Sequence, residues 1–377
     1  MAKLGECFSV IRNGASIRQT DGAGGFPITR IETIADKTIN REKFGYAEIY
    51  DLAQYRDYIL QDGDILMSHI NSEKHLGKVA LYSKQDDEQI IHGMNLLMLR
   101  ADTQKVIPEY AKYYFESQKF LRQIGRITKK SVNQASFTVT ALKELEIPLA
   151  SIIVQRDISE KLKKVDWLVS LRKQQLAKLD ELVKARFVEM FGDVLLNSMQ
   201  WPEKTLENMA DIVSGITKGR KTAEADLQEV PYMAVSNVKD GYIDWTTVKT
   251  ILATRQEIEQ YRLMPDDILM TEGGDPDKVG RGAIIKNPLE NSIHQNHIFR
   301  VRLDESELLP SFFAEYLQHQ KAKRYFLGCA KQTTGIASIN MRQLKSLPVL
   351  LPPLSLQNEF AAFVERVDQQ KQTVQQS

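Results

Sequence analysis

Asp64-Ile65-Leu66-Met67 returns 203 positions later as Asp267-Ile268-Leu269-Met270, and this echo decides how the 377-residue chain is built. Gly77-Lys78 with Ala80 returns as Gly280-Arg281 with Ala283 at the same shift. Ile91-His92 returns as Ile293-His294 at a shift of 202. From there the shift of 202 holds: Pro108 matches Pro310, Ser136 matches Ser338, Leu142 matches Leu344, Gln155 matches Gln357, and Asp166 matches Asp368. A register kept over this length with one single-residue slip is a fixed-period repeat, and such a repeat sets the architecture. Two like units joined by a connector suit a target, or a pair of partners, that also comes in two halves.

Inside each unit, short apolar runs bounded by Gly, Asp and Asn predict strands. They are Ile65–Met67, Val79–Tyr82 and Leu96–Leu99 in the first unit, and Ile268–Met270, Ala283–Ile285 and Ile298–Val301 in the second. Pro108 and Pro310 each open an aromatic helix, because proline's missing N–H would be unpaired at a first helical position anyway. Strands before helices predict an α+β fold. The two α/β units cover residues 1–150 and 194–353, related by a pseudo-two-fold axis and separated by helical stretches at 151–193 and 354–377.

The helix over 154–191 carries apolar residues at near-heptad steps: Ile158, Leu162, Val165, Val169, Leu176, Leu179, Val183, Phe187 and Met190, with Arg172 interrupting. At a rise of 1.5 Å per residue it reaches ~55 Å. Gly192 stands in the usual stop position. After Pro352-Pro353, Leu356, Phe360, Phe363, Val367 and Val374 repeat the spacing. Two seams at equivalent places in a repeat are expected to pair as an antiparallel coiled coil; otherwise each packs on its own unit. The second seam is the shorter, because Ser377 aligns with Gln175 and Lys184–Gly192 has no second copy. The end of the central helix left unmatched must then be covered by a partner or by the N-terminal residues.

Composition is that of an ordinary globular protein, 42% hydrophobic and 26% charged, with a net charge of +1. No global field draws it to nucleic acid, although local basic loops can. Cys7 and Cys329 are not repeat equivalents, which predicts a reducing, cytoplasmic setting. No run approaches the ~18 apolar residues of a membrane span, so no membrane partner is expected.

Catalytic patterns fail when tested. In Gly215-Ile216-Thr217-Lys218-Gly219-Arg220-Lys221-Thr222 the glycines stand too close for a nucleotide loop, and Arg220 splits Gly from Lys. His294 and His297 lack the metalloprotease context. Pro265-Asp266 has no downstream acidic-x-Lys partner for a nuclease core, and Asn287-Pro288-Leu289 is no base-flipping loop. No catalytic residue and no metal site is expected. A large duplicated chain without such a constellation reads or scaffolds.

Candidate readers lie where both units place similar loops. Ser68, His69 and Asn71 follow the first strand, and Thr271 and Gly273 follow its counterpart. Hydroxyl, imidazole and amide groups suit base edges, and glycine lets backbone approach closely. Basic residues flank them: Arg12 and Arg18 against Lys218, Arg220 and Lys221; Lys129-Lys130 against Lys331-Gln332; and Lys78 against Arg281. Such cations neutralise phosphates, a contact that positions without specifying. Unconstrained surface loops and solvated charges remain the alternative.

The segment from Leu142 to Asp193, with Ile147-Pro148-Leu149, Gln155-Arg156 and Lys184-x-Arg186-Phe187-x-x-Met190-Phe191-Gly192-Asp193, resembles the central conserved region of type I restriction–modification specificity subunits. Leu350-Leu351-Pro352-Pro353-Leu354-Ser355-Leu356-Gln357 resembles their second conserved region. Gly63–Met67 and Val213–Thr217 resemble motifs of their target recognition domains. The resemblance implies that each domain reads one half of a bipartite site on double-stranded DNA, while the paired helices fix the gap. It implies two methyltransferase subunits that methylate adenine N6 with S-adenosylmethionine, which this chain does not itself bind. A restriction and translocase subunit is a further possible partner. An interaction scaffold, or the specificity subunit of a modification-only or type II-like enzyme, stays open as an alternative.

Overall fold

The structure is a computed structural model; it describes the chain except residues 23, 133, 221–225, 276–278, 334–335 and 377, and only the backbone of 332, 333 and 336. The chain divides into two compact units, Met1–Ser170 and Leu171–Ser377.

The first unit is built on an antiparallel sheet in the order Phe8–Asn13, Leu96–Ala101, Ile65–Ser68, Val79–Leu81. Its central strands read as continuous apolar runs because both faces are covered. Ile65, Met67, Leu97 and Leu99 point into the core that holds the helices. Leu66 and Met98 point the other way, onto Ile34 and Tyr82. Successive side chains leave a strand on opposite faces, so one run feeds two cores. The helices are α1 (Leu4–Cys7), α2 (Pro108–Glu116), α3 (Gln118–Ile127), α4 (Val139–Lys143) and the start of α5 (Ile152–Phe191). Pro108 stands at the first position of α2, which buries Tyr110, Ala111 and Phe115.

The second unit repeats the sheet as Ala210–Ser214, Ile298–Leu303, Ile268–Thr271, Gly282–Ile284. The register is conserved through the repeat: Ile65 faces Leu99 and Leu81, as Ile268 faces Val301 and Ile284. After α6 (Arg255–Tyr261) come α7 (Pro310–Tyr316), α8 (Gln320–Cys329), α9 (Met341–Lys345) and α10 (Leu354–Gln376). The turn into the central strand needs a left-handed residue in both units: Gly63 at φ 85° in one, Asp266 at φ 66° in the other. That turn accounts for the Pro265-Asp266 pair without any nuclease role. The next residue is a buried carboxylate in each unit. Asp64 accepts from Gln61 N and from Nε and Nη2 of Arg100; Asp267 accepts from Met264 N and from Nε and Nη2 of Arg302. The units differ in the smaller sheets outside this frame: Gln19–Thr20, Gly45–Ala47 and Phe26–Ile28 in the first, against Lys249–Ala253, Gln228–Met233 and Ile293–His294 in the second.

The long helix begins at Ile152, two residues before the expected start, and stops at Phe191; Gly192 follows at φ 72°. The division between the two compact units falls within it, between Ser170 and Leu171. In the second unit α5 and α10 run antiparallel. Arg186 bonds Glu359 at 2.8 Å, and Lys371 meets Asp180 at 2.7 Å, so partners rise along one helix as they fall along the other. Val183, Phe187, Phe360 and Val367 are buried in one core, with Leu179, Leu356 and Phe363 packed against it. The Phe187 and Phe360 rings meet edge-on at 5.4 Å. The expected seam is not continuous along α5. Ile158 packs on the first unit's core, but Leu162 and Val165 are 37% and 53% exposed. Along α5, the cavity that Gln375 of α10 lines is reached at Leu176.

Candidate nucleic-acid interface

The backbone brings the expected loops together. In the first unit, Ile70–Asn71, Ala135–Ser136 and Lys129–Lys130 form a small antiparallel sheet in which Asn71 faces Ala135 and Ser136 faces Lys129. In the second, Gly273–Gly274, Ile336–Ser338 and Lys331–Thr333 do the same, with Gly274 facing Ala337 and Ser338 facing Lys331. Both registers agree through the repeat. Two strands distant in sequence thus join the residues after the central strand to a basic hairpin.

Burial divides the candidates. Ser68, His69 and Thr271 are 2%, 5% and 0% exposed, so they support the hairpin from inside rather than face a ligand. The His69 ring lies edge-on to Phe137 at 6.3 Å, and burial pushes it down to about 4, which keeps it neutral at pH 7. Ser68 and Thr271 end central strands that are covered on both faces, so they are buried like the apolar residues before them, and His69 follows just outside the strand. Asn71 is half-buried; its Oδ1 accepts from Ser72 N at 2.7 Å. Ser68, Asn71, His75 and Lys78 line one cavity of about 220 Å³. Gly273 lines another with Glu272, His297 and Ser338, where His297 Nδ1 lies 2.6 Å from Glu272. The sequence reading missed this pair, because Glu272 and His297 are far apart in the chain and neither lies in a repeated motif.

The cations also divide. Arg18, Lys129, Lys218 and Lys331 are exposed and form no ion pair among the described residues. Lys130 meets Glu73 at 2.8 Å, both well exposed. Arg12 lies over the Tyr58 ring at 4.0 Å and 3.8 Å from Asp57. Lys78 donates to Ala35 O at 3.2 Å. Arg281 is half-buried, and its Nε has no partner among the described residues. Arg220 is committed elsewhere: its Nε donates to Glu257 at 2.6 Å, and its hydrogen bonds hold that carboxylate below its ordinary range. Glu257 in turn closes the capping box of α6 with Thr254. Arg220 is therefore a poor phosphate ligand. Lys221 lies outside the described residues, as does the side chain of Gln332.

Among the described residues no cluster of His, Cys, Asp or Glu could hold a metal ion. No described helix is long and apolar enough to cross a membrane. What the site offers is two equivalent hairpins with exposed cations and small polar cavities beside them.

Comparison with known proteins adds a second line of observation. The profile described as type I restriction modification DNA specificity domain matches residues 1–181 and again 199–376. The putative type I restriction enzyme MjaX specificity subunit of Methanocaldococcus jannaschii is 30% identical, over 97% of this chain and 86% of that protein. The crystal structure of the S subunit of a type I restriction-modification system from M. genitalium shares the fold, with a TM-score of 0.56 at 16% identity over 99% of this chain and 90% of its own. A chain from a structure on complex assembly and conformational transition of the type I R-M system scores 0.54 at 16% identity, covering 100% of this chain and 91% of that one.

Proposed function

Because the chain belongs to the family of type I restriction–modification DNA specificity domains, we propose that it selects the DNA sequence for such a complex, each unit reading one half of a split site. The carrying observation is the pair of equivalent hairpin sheets, each joining the end of the central strand to a basic hairpin. Exposed Arg18, Lys129, Lys218 and Lys331 form no ion pair among the described residues, which supports a phosphate role. Base choice then falls to the hairpins and the cavities beside them, which differ in residue type between the units. Asn71 in one cavity, and Glu272 with His297 in the other, carry the amide, carboxylate and imidazole groups that recognise base edges.

The chemistry belongs to partners. In this reading two methyltransferase subunits supply S-adenosylmethionine and modify adenine N6, and a restriction and translocase subunit can join them. Leu162, Val165, Trp167, Leu168 and Val169 on α5 are between 37% and 61% exposed. An apolar stripe of this length on a helix is a surface to which a protein partner docks. The complex would act in the cytoplasm, where the DNA is.

The test is reconstitution with methyltransferase subunits, followed by mapping of methylated adenines. One split sequence is expected. Methylation indifferent to sequence would end the proposal.

A further inference from the structure

Gln155 and Gln357 are repeat equivalents at the start of the two long helices, and both are fully buried. Each side chain makes the same three hydrogen bonds. Gln155 Oε1 accepts from Ile107 N at 2.9 Å, while its Nε2 donates to Lys105 O at 2.9 Å and Ala150 O at 2.8 Å. Gln357 Oε1 accepts from Leu309 N at 2.8 Å, while its Nε2 donates to Glu307 O at 3.0 Å and Pro352 O at 2.9 Å. The amide thus uses one acceptor and both donors on backbone groups that have no helix or strand partner. Those groups lie in two places: the turn before the proline-opened helix, and the entry into the long helix. One buried side chain bolts the two together, and it does so twice in the molecule.

Around this network the packing differs between the units. In the second unit α10 also packs against α5: Phe360 meets Phe187 and Phe191, and Val367 is buried in the same core. In the first, every residue of α5 from Lys161 to Ser170 is exposed. A bond pattern that survives such different surroundings is kept for what it fixes locally: the direction in which each helix leaves its unit. Only a glutamine of this reach supplies two donors and an acceptor there; glutamate would set a carboxylate oxygen against two carbonyls, and leucine would leave three buried backbone groups unpaired.

We propose that Gln155 and Gln357 are positioning residues for DNA recognition, each locking a helix to its own unit at one angle and so restricting the half-site spacing that the complex accepts. The inference rests on the proposed function. Neither glutamine touches a base; each acts through the helix it holds.

The test uses the complete complex with its methyltransferase subunits. Gln155→Leu and Gln357→Leu are made separately, with Phe120→Leu in the first unit's core as a control for lost stability. Methylation is measured on duplexes carrying the native half-sites at the native separation and at one or two base pairs more or fewer. The expected result is that methylation at the neighbouring separations rises about tenfold relative to the native one in each leucine variant. The bases read in each half stay the same, and the control keeps the native preference. The idea is overturned if folded leucine variants remain confined to the native separation, if they lose base choice instead, or if the control relaxes equally. Hydrogen exchange on the unaltered chain gives a reading that needs no variant: the amides of Ile107 and Leu309 should be as protected as the central strands, and fast exchange there removes the clamp. An unaltered complex that methylates without regard to sequence condemns the functional reading itself, a different outcome from any of these.

Discussion

Acid should loosen the first unit before the second, because buried histidines are shared unequally between them. His92 is fully buried, and burial pushes it down to about 3. His69, in the same unit, is pushed down to about 4, again by burial. The second unit has His294, fully buried and likewise pushed down to about 4. The unfolded chain takes up protons from about pH 6.5 downward, while the folded chain refuses them until pH 4 or 3. A folded pKa below the unfolded one gives stability that is full above 6.5 and is lost as pH falls toward the folded value. Between pH 7 and pH 5 each such histidine costs about 2 kcal/mol. The first unit therefore loses about 4 kcal/mol and the second about 2 kcal/mol. Carboxylates do not blur this window, since ordinary ones titrate nearer 4 and Glu88, bonded to Arg41, is held at about 2. Hydrogen exchange of peptides covering Leu96–Ala101 and Ile298–Leu303, corrected for intrinsic rates, reads both units at once. Protection should fall about a thousandfold in the first and about thirtyfold in the second. Replacing His69 and His92 by leucine, of similar volume and without a titratable ring, should remove the first unit's excess. Equal losses in both units, or a slope that survives the double replacement, would refute the reasoning.

Three other outcomes separate structural from binding roles. Lys218→Ala should weaken binding to all DNA sequences and lower the salt slope by about one unit with stability unchanged, whereas Arg220→Ala should cost about 1–3 kcal/mol in denaturant titration and leave the salt slope alone. Phe360→Ala empties the contact with Phe187 and Phe191 and should destabilise the second unit by about 3–5 kcal/mol, visible as faster exchange over 354–376, while the first unit's transition stays in place. Asp64→Asn leaves the Arg100 guanidinium beside a neutral amide in a buried site and should cost about 3 kcal/mol; a melting curve that does not move would show that the pair is dispensable.

The sequence alone determined the duplication, the α+β class, the central strands, both proline-opened helices and the long helix, because these follow from signals a few residues long. Apolar runs, turn residues and a missing N–H act wherever they occur, and a repeat copies them. Sequence also placed the candidate loops after the central strand and the lysines near the hairpins. It could not tell that Ser68 and Thr271 point inward, since that depends on which face of the strand its neighbours cover. Nor could it assign Arg220 to Glu257, His297 to Glu272, or the antiparallel seam to the later half of α5 only. Those choices are made by groups tens to hundreds of positions apart, and their energy exists only once the folded backbone has brought them within a few ångströms of each other.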